Sequence, residues 1–441
     1  MDTLHACETW DPERIRDHQL AALRDQLARV YGSSRYYRRQ WDEIGWHPAD
    51  LRDLDDLAAL PITTKADYQR AIDDRPPYGD FLAVPRESVA RLHFSSGTTG
   101  APTPVAWTAA DLDRWADLYA RAAHSQGVRP GDVYQCLFSY AWFVGGLGAT
   151  LGYTRLGATV IPGGSGDTDR QLETIFRYGT TAVGGTPSFL LHLAARADSL
   201  GRPLRESAVR HVMVGGEPGG GVPATRAMIE SAWGARCHDG YGCLEFQPVA
   251  WECAERAGGH LAEDFVHAEV LDQHTRQPVP DGRPGVLVLT HLDKRATPLV
   301  RWWTGDVVVR DRARCECGRT HARLAGGVLG RADDMLVVRG VNVFPSAVEN
   351  VVRRTAGGLT EFRVVLDPAL ADPVTGYPTA LRVQVESTQD NLSGDLAAAL
   401  RAELQVRAVV EIVGPGTLPR TTHKARRVVR ATEPEVSQRV P

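Results

Sequence analysis

Arg91 to Thr108 reads RLHFSSGTTGAPTPVAWT. Between Ser95 and Thr103 every residue except Ala101 is Ser, Gly, Thr or Pro. On either side Leu92, Phe94, Val105 and Trp107 alternate with other residues in the manner of strand positions. The pattern predicts two short strands joined by a loop of glycines and hydroxyls. Such a loop suits an anion: glycines let the backbone approach a ligand, and successive N–H groups can converge on it. The hydroxyls of Ser95, Ser96, Thr98 and Thr99 add donors for phosphate oxygens, and Gly97 and Gly100 keep the path open. No Gly-Lys-Ser/Thr follows, so the loop is not a Walker A motif. Composition alone also allows a flexible surface turn.

Downstream, helical and strand patterns alternate as far as Arg210. Helix Ala110–Gln126 precedes strand VYQCLF, a glycine-rich helix and GATVIP. Helix Asp169–Tyr178, strand TTAVGG, helix Pro187–Ala195 and strand HVMVGG follow. This alternation predicts an α/β fold with a parallel sheet. Ligands in such sheets lie at the carboxyl ends of strands. GGTPS (Gly184 to Ser188) and VGGEP (Val214 to Pro218) are two such ends, which makes Gly215, Gly216 and Glu217 candidates for lining a flat ligand. Turn glycines without a ligand are the alternative. Upstream, residues 1–90 read as helices and loops. Leu20, Leu23, Leu27 and Val30 have helical spacing, and Thr63 or Thr64 caps a helix that opens with ADYQRA, from Ala66.

At 441 residues the chain exceeds a single core, so at least two domains are expected. A net charge of −4 argues against a general nucleic-acid binder. The opening MDTLHACETWDPERIRD is charged and lacks an apolar stretch, so no signal peptide is expected. The uncharged run Val133–Thr154 is long enough to span a membrane, but its four glycines and three tyrosines predict a buried core segment. Seven cysteines, odd in number and sparse, point to a reducing cytoplasm. Only three of the 50 basic residues are lysines (Lys65, Lys294 and Lys424), so a lysine here marks a place where a compact ammonium is needed.

The loop and several further phrases, in order, resemble the adenylate-forming superfamily, and within it the phenylacetate-CoA ligase family. LPITTK lies ahead of the loop; DGYGCLE (Asp239 to Glu245), RWWTGD (Arg301 to Asp306), GRADDMLVVRGVNVFPSAVEN (Gly330 to Asn350) and LPRTTHKARRVVR (Leu418 to Arg430) follow it. The resemblance implies a large α/β adenylation domain with parallel and mixed sheets over residues 1–330. A small, mobile α+β lid over residues 331–441 would follow. ATP and a small-molecule carboxylic acid would form an acyl-adenylate, and coenzyme A would then displace AMP. The resemblance places Tyr241 near the adenine, with Asp239 and Gly242 beside it, and gives Mg2+ to Glu245. It places Asp306 and Arg331 at the ribose, Asp333 at the hinge, Lys424 at the reacting carboxylate and Gly340 at the pantetheine tunnel. Tyr140, Trp142 and Phe143 precede GGLG, where the family keeps an aryl pocket; core packing is the alternative for these rings.

Cys253 and His260 are spaced C-x6-H, and Cys315 and Cys317 form C-x-C. Three thiolates and an imidazole make a closed tetrahedral set for structural Zn2+. His321 is an alternative ligand, and unliganded thiols are the other reading. The family's phosphate loop carries Lys after its last glycine; this chain has Ala101. One cationic contact to the triphosphate is thus missing, which bears on ATP affinity and the nature of the acyl group and makes a non-catalytic nucleotide binder conceivable. Separately, the acceptor could be a carrier-protein thiol, an amine or nitrite instead of CoA. No membrane association is expected. A homodimer and a carrier-protein partner are left open.

Overall fold

The computed structural model describes residues 3–95, 102–142, 144–339, 341–357, 360–373, 378–389, 391–419 and 427–431. The chain opens with α1 (Pro12–Ser33), α2 (Arg35–Glu43) and α3 (Lys65–Asp74), then the hairpin β1 (Arg91–Phe94) and β2 (Pro104–Trp107). An alternating stretch follows: α4 (Ala109–Ser125), β3 (Val133–Cys136), α5 (Val144–Leu156), β4 (Thr159–Ile161), α6 (Thr168–Arg177), β5 (Ala182–Gly185), α7 (Pro187–Ser199), β6 (His211–Val214), α8 (Pro223–Trp233) and β7 (Arg236–Cys243). Then come β8 (Gln247–Trp251), β9 (Gly259–Leu261), β10 (Val266–Leu271), β11 (Pro284–His291), β12 (Trp302–Asp311) and β13 (Arg323–Arg331). The remainder holds β14 (Leu336–Val338), β15 (Val341–Val343), α9 (Pro345–Ala356), β16 (Phe362–Leu366), β17 (Leu381–Glu386), α10 (Leu392–Leu404), β18 (Ala408–Val413) and β19 (Val428–Arg430).

Eleven strands form one sheet in the order β10-β11-β12-β13-β9-β8-β7-β6-β5-β3-β4. From β4 to β7 every neighbouring pair is parallel, because each strand is followed by a helix that returns the chain across a face. From β7 to β10 every pair is antiparallel. The strand where the two halves meet is β7, which carries most of DGYGCLE. A second fold unit follows β13: strands β18-β17-β16-β19 form a four-stranded sheet covered by α9 and α10, with a core from Leu336 to Val428. The fold is α/β with a small α+β C-terminal unit, as expected.

The uncharged run Val133–Thr154 is β3 plus most of α5, and no helix among the described residues is long and apolar enough to cross a membrane. Thr64, not Thr63, caps α3: its hydroxyl accepts from Asp67 N at 3.2 Å, and Thr64 N donates to Asp67 Oδ2 at 2.9 Å. Thr63 is wholly buried and donates to the Val300 carbonyl at 2.8 Å. Lys294 does not follow the expectation set by lysine scarcity. It is a core residue, 1% exposed, with its ammonium over the Trp107 ring.

Candidate active site and metal cluster

The hairpin exists as the alternation predicts: β1 and β2 pair antiparallel, with Phe94 opposite Pro104. The neck of the loop is pinned twice. Ser95 N donates to the Thr103 carbonyl at 3.1 Å, and Thr103 N donates to the Ser95 hydroxyl at 3.2 Å. Ser96, Gly97, Thr98, Thr99 and Gly100, together with Ala101, lie outside the described residues, as do Phe143, Gly340 and Lys424.

The aromatic stretch lies directly against the hairpin. Phe94 N and His93 Nδ1 both reach the Trp142 carbonyl at 3.1 Å, and the Phe94 and Trp142 rings are 5.9 Å apart. Trp142 is 64% exposed, so it is not core packing. Tyr140 is half-buried, with its hydroxyl 2.6 Å from that of Thr150.

Tyr241, on β7, donates its hydroxyl to Asp306 Oδ2 at 2.6 Å across the sheet. Burial and the nearby Asp306 carboxylate push the Tyr241 pKa well up, so this group is a donor at any physiological pH. The other oxygen, Asp306 Oδ1, takes Arg331 Nη1 at 3.2 Å, because β12 and β13 pair Asp306 with Arg331. Arg331 then donates Nε to Asp333 Oδ1 at 2.9 Å. Gly305 makes this possible: its φ is +77°, and a Cβ there would lie 2.6 Å from Arg331 Nη2. Tyr241, Asp306, Arg331 and Asp333 thus form one continuous chain of hydrogen bonds.

Glu245, just past β7, is buried near Lys294 and Tyr68: burial pushes the Lys294 pKa well down, opposed by Asp111 and then Glu245, and burial followed by the Glu245 charge pushes that of Tyr68 up. Asp239 and Gly242 lie on β7 itself. Asp239 is half-buried between two glycines; a Cβ on Gly220 or Gly327 would sit 2.2 Å or 2.7 Å from its carboxylate oxygens. Burial, then the Glu252 charge, push its pKa up to about 7. Glu252 accepts from Asp239 N at 2.8 Å and takes a two-pronged bond from Arg226 at 2.8 and 2.9 Å. Neither Arg226 nor Glu252 stood out in the sequence, since each is an ordinary surface residue type until the fold pairs them. Gly215 and Gly216 follow β6 at the expected strand end, and Glu217 Oε1 accepts from Ser188 N, at the start of α7, at 2.7 Å.

Cys253, His260, Cys315 and Cys317 meet on the antiparallel half, with one ligand atom from each within 4.8 Å of all the others. Cys253 and Cys315 sulfurs are 3.8 Å apart, and Cys317 Sγ lies 3.5 Å from His260 Nε2. A tetrahedral Zn2+ with bonds of ~2.3 Å to sulfur and ~2.05 Å to nitrogen requires about 3.8 and about 3.6 Å for these separations. The residues present therefore fit the ion. His260 Nδ1 faces the His321 carbonyl at 3.3 Å, which leaves Nε2 as the ligating nitrogen. His321 itself is excluded as a ligand, because its two ring nitrogens each lie 2.9 Å from a backbone carbonyl, Leu261 and Cys7.

The hairpin around the hydroxyl-rich loop, the joined parallel and antiparallel sheet and the separate C-terminal unit are those of an AMP-binding enzyme. That family matches residues 46–291, and its C-terminal domain matches 340–431. The chain is 37% identical to the phenylacetate-coenzyme A ligase of Thermus thermophilus over 442 residues, covering 96% of this chain and 98% of that protein. It is 35% identical to the Escherichia coli phenylacetate-coenzyme A ligase, covering 96% and 97%. A crystal structure of 2-hydroxyisobutyryl-CoA ligase in the postadenylation state, in complex with 2-HIB-AMP, superposes with TM-score 0.90 at 29% identity, covering 96% of this chain and 91% of that one. The same enzyme in the thioesterification state, with 2-HIB-AMP and CoA, gives TM-score 0.73 at 30% identity, covering 96% and 91%. The chain belongs to the adenylate-forming superfamily, in its phenylacetate-CoA ligase-like family. It is an AMP-forming acyl-CoA ligase, activating an acid with ATP and passing it to CoA.

Proposed function

We propose that the acid is aromatic, an arylacetate or a close analogue. The observation that carries this is the contact of the aromatic stretch with the hairpin: the Trp142 carbonyl bonded to Phe94 and His93. Tyr140, Trp142 and Phe143 then line the acid beside the phosphate loop, where a carboxylate must meet the α-phosphate. The phenylacetate-CoA ligase relatives support the same class of acid.

Ser95 to Gly100 hold the triphosphate. Asp306, already oriented by Tyr241 and Arg331, accepts the ribose hydroxyls. Tyr241 borders the adenine together with Gly216, Glu217, Asp239 and Gly242, and Gly215 joins Tyr140, Trp142 and Phe143 at the acid. Glu245 and phosphate oxygens hold Mg2+, a hard cation that takes few carboxylates. That ion, when bound, offsets charge on the leaving pyrophosphate. Lys424 steadies the negative charge that builds as the carboxylate attacks phosphorus. The boundary falls at 330/331, and the lid turns about Asp333 so that Gly340 borders the pantetheine of CoA. Cys253, His260, Cys315 and Cys317 hold one structural Zn2+ and take no part in the chemistry. A reducing cytoplasm suits these free thiols. The test is pyrophosphate release across aryl, arylacetic and aliphatic acids, with and without CoA. A preference for short aliphatic acids would overturn the aromatic reading.

A further inference from the structure

Two helices of the large unit begin at the strand ends assigned to the nucleotide, and neither has a capping side chain at its own N-terminus. Thr186 before α7 and Val222 before α8 make no side-chain cap bond. The first-turn N–H groups of a helix need acceptors from elsewhere. For α7 the acceptor is local: Glu217 takes Ser188 N. For α8 it comes from the C-terminal unit. Asn350, on α9, accepts from Ala224 N through Oδ1 at 3.1 Å. One residue along each helix, Thr225 donates its hydroxyl to Glu349 Oε1 at 3.2 Å, with Thr225 and Glu349 1% and 5% exposed. Arg353 holds the same Glu349 oxygen through Nε at 2.6 Å, one turn further along α9. The Ser346 hydroxyl bonds to the Leu329 carbonyl across the same junction.

From this arrangement we infer that Glu349 and Asn350 are positioning residues for the first half-reaction. They latch the lid in the adenylate-forming orientation by completing the N-terminus of α8. The inference rests on the two-state lid of the proposed function. The chain matches the postadenylation structure at TM-score 0.90 and the thioesterification structure at 0.73, so the junction described belongs to the former arrangement. Lid rotation moves α9 away, and the Ala224 N–H and Thr225 hydroxyl then return to water. Each bond is modest, so the latch biases the lid without locking it. The helix it grips follows the loop carrying Gly215, Gly216 and Glu217. Lid seating and the shape of that loop are therefore linked. Asn350 and Glu349 touch no substrate; they act through α8.

The test uses the full chain with Asn350→Leu, Thr225→Val and the double variant. Lid position is read by single-pair fluorescence between dyes at exposed Asp198 and Asp395, which requires no acid. The half-reactions are read as pyrophosphate release with phenylacetate and thioester formation from supplied phenylacetyl-adenylate. Each single variant should lower the ratio of the first rate to the second by about three- to fivefold, and the double variant by about tenfold or more. The lid distribution should shift in parallel. Asn350→Asp keeps an acceptor at the helix N-terminus and should restore the wild-type ratio. Equal loss of both half-reactions, or an unshifted lid, overturns the latch. Asp333→Pro run alongside separates the two levels. If it splits the half-reactions and the latch variants do not, only the latch fails. If it does not split them, the rotating lid fails and the latch with it.

Discussion

The row proposed to hold the ribose and the Cys3His cluster both draw on the antiparallel half of the sheet, yet they are finished differently. In the cluster the four donors converge on one point, and His260 is oriented from behind by a carbonyl. Four protein donors complete a tetrahedral set, which suits the structural ion proposed for it. At the other site the polar groups run in a line from Tyr241 through Asp306 and Arg331 to Asp333, each bonded to the next rather than converging on one point. A closed set of ligands stores stability. An open row of oriented groups stores reactivity, and here it ends on the residue proposed to turn the lid.

The strongest way to break this contrast is to remove charge from the open site. Lys424→Ala should lower pyrophosphate release by roughly 10^2- to 10^3-fold, the cost of losing an oriented charge at a transition state. It should spare thioester formation from supplied acyl-adenylate. Pyrophosphate release at the wild-type rate would remove Lys424 from the chemistry.

Next in size is the cluster. Purified protein should contain about one zinc per chain. Cys315→Ser should lower the melting temperature by roughly 5–10 °C, because metal binding adds to folding free energy. The order of acid preference should not change. A metal-free protein, or altered acid preference without a change in melting temperature, would reverse the roles of the two regions.

Asp333→Pro tests whether the row at the ribose end leads into a moving part. Proline fixes φ near −65° and removes one torsion from the joint. Thioester formation should fall about tenfold more than adenylate formation, measured as separate half-reactions. Equal losses would make Asp333 a static support.

The smallest effect concerns Asp239. Its folded pKa is about 7 against an ordinary 3.8, raised first by burial and then by Glu252. The folded protein therefore keeps this proton between roughly pH 4 and 7 where the unfolded chain has lost it. Stability drops as pH rises through that window. Above it the charged group costs up to about 4 kcal/mol by the size of the shift, reduced to on the order of 1–2 kcal/mol by solvent screening of a carboxylate that is only half-buried. Asp239→Asn should make the protein more stable than wild type at pH 8, with the gain vanishing near pH 4 in denaturant titrations. A gain that is the same at both pH values would assign the effect to packing instead.

The sequence by itself determined the pieces whose signals are local. Alternating Leu92, Phe94, Val105 and Trp107 fixed the hairpin, since side chains in a strand change face at every residue. Apolar spacing gave α4 to within a residue at each end and the body of α1 without its first turns, and it left Thr63 and Thr64 both open as the cap of α3. Residue chemistry was enough to nominate Cys253, His260, Cys315 and Cys317, since thiolates and imidazole are the donors Zn2+ takes. Helix α9 was not read from the phrase GRADDMLVVRGVNVFPSAVEN, because a strand pattern and a helix pattern meet there within a few residues. The tertiary structure alone decided that β7 is the strand where the parallel and antiparallel halves join. It alone paired Tyr241 with Asp306 over 65 residues, and removed His321 from the metal set by giving both its nitrogens to carbonyls. It also brought Asn350 to the start of α8, 126 residues away. These are matters of register and docking. Periodicity along the chain shows which face a residue occupies. The partner it meets depends on how distant elements pack, and no local pattern carries that information.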